Sequence, residues 1–69
     1  MTDIPNDVKR AILAQELGGV EQQIYRLSVS SEARKLAGYT EQENAPLVTE
    51  LERLVRMRDV LTAKSAELQ

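Results

Sequence analysis

The side chains in this 69-residue chain that could do chemistry are carboxylates and guanidiniums, because it contains neither histidine nor cysteine. Two carboxylates converging on one point would supply a general acid and base, or the start of a cation site. The candidate pairs are Glu41/Glu43 and Glu50/Glu52. Residues two apart on a helix point to different faces, so neither pair converges. There is no Glu-x-x-His metal motif and no nucleophile beside a base. No strand precedes Gly18-Gly19 to make those glycines a phosphate loop. The thiolate and imidazole ligands of structural zinc sites are missing. A chain this short also has little room to enclose a pocket. The expectation is a protein that is not an enzyme, with no catalytic residue, no metal site, no cofactor and no small-molecule substrate.

Arg53, Arg56 and Arg58 form a basic cluster that could meet phosphates. Glu50, Glu52 and Asp59 interleave with them, and Glu52 to Arg56 has the i,i+4 spacing of a surface pair. The chain carries nine basic and eleven acidic residues for a net charge of −2, without a block of one sign. Nucleic acid is therefore a disfavoured partner. No apolar run approaches the roughly 18 residues that a membrane span needs, and Met1 to Asn6 does not read as a signal peptide. The expected location is the cytoplasm.

Two long helices must position whatever these side chains do. Pro5 belongs in a first turn, with Asp3 and Asn6 as potential caps, so helix 1 should start between Ile4 and Asp7. Leu13, Leu17, Val20, Ile24, Leu27 and Ser31 then follow the 4-3-4-3-4 spacing of a helical seam. Arg34 and Lys35 suit the C-terminal dipole, and Gly38 suits a left-handed cap. Thr40 to Glu43 matches a capping box, but Pro46 would then fall in the second turn and loosen or kink it. A start at Asn44, with Pro46 in the first turn, is the alternative. The second seam is Leu47, Leu51, Leu54, Arg58, Leu61, Ser65 and Leu68. The short link forces antiparallel neighbours. The predicted fold is a single all-α domain, a coiled-coil-like two-helix hairpin with helix 1 at about 6–37, a turn at about 38–40 and helix 2 at about 41–68.

A turn near Tyr39 sets Leu27 against Leu51, Ile24 against Leu54, Val20 against Arg58 and Leu17 against Leu61, to within one helical turn. The polar layer at Arg58 lies beside Gly18 and Gly19. Two readings stand for these three residues. The glycines leave room for Arg58 to cross the seam toward Glu16 or Glu21, setting register more than stability. Alternatively, the helix kinks or breaks at Gly18, and Arg58 snorkels to water.

Both helices carry more apolar surface than one neighbour can cover. At about 100° per residue, Ala11, Ala14, Tyr25, Val29 and Leu36 lie more than a quarter-turn from the seam of helix 1. Val48 and Val55 lie to one side of the second seam, and Met57 lies to the other. Bands this wide suit helices with two neighbours. The expected remedy is oligomerisation, as in a dimeric four-helix bundle, or docking on another protein. Tyr25, Val29, Leu36, Val48 and Val55 are the expected contacts.

Gln23-Ile24-Tyr25-Arg26-Leu27, Glu32-Ala33-Arg34 through Gly38, and the Glu-rich second helix ending in Leu61 resemble small helical-hairpin proteins encoded by tailed phages. The resemblance covers about two thirds of the chain, and Pro46 departs from the uninterrupted second helix of such proteins. It implies virion assembly, a minor capsid component or a small host-directed factor, and it carries over no functional residue. The virion then joins the cytoplasm as an expected location.

The leading expectation is a structural or interaction protein that works by helix–helix packing with itself or another protein. A second is a dimeric four-helix-bundle regulator placing Arg26, Arg53, Arg56 and Lys64 on nucleic acid. A third is an inhibitor that masks a host protein surface.

Overall fold

A computed structural model describes residues 3–68. Two helices, α1 (Asn6–Leu36) and α2 (Glu41–Glu67), pack against each other as an antiparallel hairpin. Neither is long and apolar enough to cross a membrane.

Helix α1 starts at Asn6, with Pro5 in the N-cap position at φ −60° and ψ 151°. Neither Asp3 nor Asn6 caps it, because proline's extended backbone already supplies the entry and the Pro5 carbonyl accepts from the Lys9 N–H at 3.0 Å. The helix is continuous through Gly18 and Gly19, which overturns the reading of a break there. Helical hydrogen bonds on both sides of the pair carry it through two weak residues.

The reversal is made by four residues. Ala37 closes α1, and Gly38 takes the left-handed backbone at φ +95° that side chains with a Cβ resist. The Tyr39 N–H donates to the Arg34 carbonyl at 2.9 Å and the Gly38 N–H to the Lys35 carbonyl at 3.2 Å, the two bonds of a Schellman motif. The Arg34 guanidinium sits 5.5 Å from the centre of the Tyr39 ring, so a cation–π contact ties the same two residues through their side chains.

Thr40 caps α2. Its hydroxyl accepts from the Glu43 N–H at 3.1 Å, and the Thr40 N–H donates to Glu43 Oε1 at 2.9 Å. The start at Asn44 is thereby excluded. The helix is unbroken through Pro46, which lies in its second turn and offers no N–H to the Gln42 carbonyl.

The Thr40 bonds, the backbone one first, hold the Glu43 carboxyl below the ordinary carboxylate range. Its folded-state pKa is lowered, so the cap's contribution is full above the unfolded-state value and is lost as pH falls through the folded one. The Thr40 amide resonance is therefore expected to lose its hydrogen-bonded shift only at pH values below the usual carboxylate titration, as NMR during acidification would show. Thr40→Ala should cost about 1 kcal/mol at neutral pH, and a urea melt measures it.

Register is set at both ends. Near the turn, Asn44 Nδ2 donates to Ser31 Oγ at 2.8 Å. At the open end, Arg10 Nη1 donates to the Leu68 carbonyl at 2.8 Å. Between them Val20 and Leu54 are the buried apolar side chains, at 5% and 7% exposure. Leu13, Leu17, Ile24 and Leu27 on α1, and Leu47, Leu51 and Leu61 on α2, are half-buried along the same line. The result is a plate 54 × 20 × 14 Å, one helix thick.

Candidate interaction surface

A plate one helix thick has two broad faces, and neither is covered. Its radius of gyration is 16.1 Å, against about 11 Å for a rounded domain of this length. It exposes 5540 Å², whereas a folded monomer of 7.7 kDa exposes about 4,300 Å² by the usual size scaling. The excess, roughly 1,200 Å², exceeds the ~800 Å² that each partner contributes to a standard protein interface.

At the middle of the hairpin the two faces differ in chemistry. One carries an open groove lined by Ile24 and Ser28 of α1 and by Val48, Leu51 and Val55 of α2, with Glu52 and Arg56 on its rim. Toward the turn a separate depression shares Val48 with it and is lined by Lys35, Glu41, Asn44, Ala45 and Thr49. The groove lined by Gln15, Glu16, Gly19, Val20, Gln23 and Met57 is largely polar. At about 100° per residue, Ser28, Val48 and Val55 lie to one side of the seam. Gly19, Gln23 and Met57 lie to the other, so the two grooves open on opposite faces.

Of the five residues expected at an interface, the structure brings Val48 and Val55 together in the apolar groove. Tyr25, Val29 and Leu36 are exposed, at 71%, 47% and 84%. They form a separate stripe along the outer edge of α1 and do not line that groove. The basic residues are dispersed. Arg53 faces Glu50 at 3.9 Å, Arg56 lines the apolar groove, and Lys64 lines a different groove with Lys9, Ile12, Leu13 and Leu68.

Arg58 does not cross the seam to Glu16 or Glu21. Its Nη2 lies 3.5 Å from Asp59 Oδ1, beside it in sequence, and the side chain stays substantially exposed. An adjacent carboxylate in water meets the charge without the desolvation that crossing an apolar seam would impose. Nor do the glycines make room for it. A Cβ added at Gly18 or Gly19 would meet nothing within 4 Å.

The polar pair that is buried is a different one. Asn44 is 1% exposed and Ser31 is 7% exposed. Asn44 Oδ1 has no hydrogen-bond partner among the described protein atoms. The signal for it was the phase of the seam, since Asn44 lies three residues before Leu47 and Ser31 lies four after Leu27. A polar pair in a seam typically specifies register at a cost in stability. Ser31→Ala should strand the whole Asn44 amide and destabilise the hairpin by about 1–3 kcal/mol. Ser31→Ala combined with Asn44→Leu should recover at least the original stability. Denaturant unfolding of the single and double variants tests this, and strictly additive losses would contradict it.

Among the described residues no group of three or more acidic side chains could hold a metal ion. No protein-family model, curated protein or solved structure matches the chain.

Proposed function

We propose that this protein is a non-enzymatic interaction module that works by helix packing, with a two-helix plate as half of a core that a further helical surface completes. The observation that carries the reading is the single-layer architecture. Stable domains bury their apolar faces between two layers. Here one layer leaves Ile24, Leu51 and Val55 only half-covered and Val48 exposed along one groove. Mixed charge on the outer positions keeps such a plate dispersed until it meets its partner and orients it on contact. The resemblance of the sequence to phage-encoded helical hairpins supports assembly as the setting, in the cytoplasm or in a virion.

The test is thermal unfolding of the purified chain, followed by circular dichroism at several concentrations. A half-core melts either below the ~45–65 °C range of ordinary domains or at a temperature that rises with protein concentration. A cooperative melt above about 65 °C that ignores concentration would overturn the proposal, because the hairpin would then be sufficient by itself.

A further inference from the structure

Resting on that reading, we infer that the surface completing the core is a second copy of this chain, laid on the Val48/Val55 face about a twofold axis near the middle of α2. Three observations select the face and its occupant. At the middle of the hairpin the apolar groove lies on this face, and the groove on the opposite face has Gln15, Glu16 and Gln23 in its lining. A further apolar groove, at Ile12, Leu13 and Leu68, lies at the open end away from the middle of α2. The roughly 1,200 Å² by which the plate exceeds a compact monomer is enough for a standard interface of ~800 Å² per partner. The rim then decides between a copy and a stranger.

A rim of one sign would select a partner of the other sign. This rim carries one acid and one base, Glu52 and Arg56, one turn apart on the same helix. Neither belongs to the ion pairs found among the described residues, which are Arg53–Glu50 and Arg58–Asp59. A twofold axis crossing α2 between them sets Glu52 of each protomer against Arg56 of the other. An isologous contact makes every pairing twice. The surface is thus complementary to its own image, and the product is a four-helix bundle with Ile24, Val48, Leu51 and Val55 at its centre.

The experiment is sedimentation equilibrium of the wild type and charge variants, from micromolar to millimolar concentration. The wild type is expected to be a dimer. Glu52→Arg alone and Arg56→Glu alone each replace two attractions with two repulsions, which should weaken the dimer roughly tenfold. The doubly exchanged E52R/R56E chain should regain it, and an equimolar mixture of the two single variants should form a heterodimer. Val48→Glu with Val55→Glu should weaken association by about a hundredfold or more, while Met57→Glu on the other face should leave it intact.

A dimer that Met57→Glu dissolves and the Val variants spare would overturn the choice of face. A dimer indifferent to every exchange of residues 52 and 56 would overturn the twofold. A wild type that stays monomeric to millimolar concentration would overturn the second copy as occupant. The melt of that monomer then separates the two proposals. A low melting point leaves the half-core standing with a different partner, and a high one removes both.

Discussion

Leu54→Ala is expected to cost about 2–4 kcal/mol and to lower the urea midpoint of the hairpin markedly. Leu54 is 7% exposed, and with Val20 it is one of two buried apolar side chains among the described residues. Truncation removes transfer free energy and leaves a void that two helices held by a short link can close only by shifting their whole packing. A domain of this length has a total stability of about 3–10 kcal/mol by per-residue scaling. The loss is therefore a large share of what exists, where the same change in a larger core is tolerated. Val60 is the control: it is 55% exposed, and Val60→Ala should stay within about 0.5 kcal/mol of the parent. Far-UV circular dichroism at 25 °C and a urea melt distinguish the two. If Leu54→Ala melts with the wild type, the centre of the hairpin is not where its stability resides.

The second large effect has the opposite sign. Gly18→Ala with Gly19→Ala should stabilise α1 by about 1 kcal/mol at each position and raise the melting temperature by roughly 4–8 °C per kcal/mol. Both glycines are in regular helical backbone, and a Cβ at either meets nothing within 4 Å. Alanine therefore narrows the unfolded ensemble with no clash in the folded state. Had these glycines made a passage for Arg58, the same substitutions would have weakened the hairpin. A thermal melt of the double variant decides the sign.

The two helices and their antiparallel packing were legible because their signals are local. Leucines on a 3-4 spacing, Gly38 after Lys35, and Thr40 three residues before Glu43 each act within one or two turns. The direction of packing then follows from the shortness of the link. What was not legible depended on competition between solvent and side chain. Arg58 can reach several carboxylates, and spacing does not show that Asp59, the nearest, wins. Pro46 made two helix starts compatible with the same residues. One of those starts put Asn44 at a cap, where a polar side chain is unremarkable, and so hid its burial against Ser31. Likewise, periodicity marked Tyr25, Val29 and Leu36 as apolar and off the seam. Only the placement of α2 shows that the groove forms elsewhere, around Val48 and Val55.

The reversal at Gly38 has a further consequence for how copies of this chain mix. Every contact between α1 and α2 could equally be made between the α1 of one molecule and the α2 of another, if the link were straightened instead of bent. What disfavours that exchange is arithmetic: a link this short holds its own α2 at an effective concentration on the order of millimolar. Below that concentration each chain closes on itself, and helix trading becomes competitive only above it.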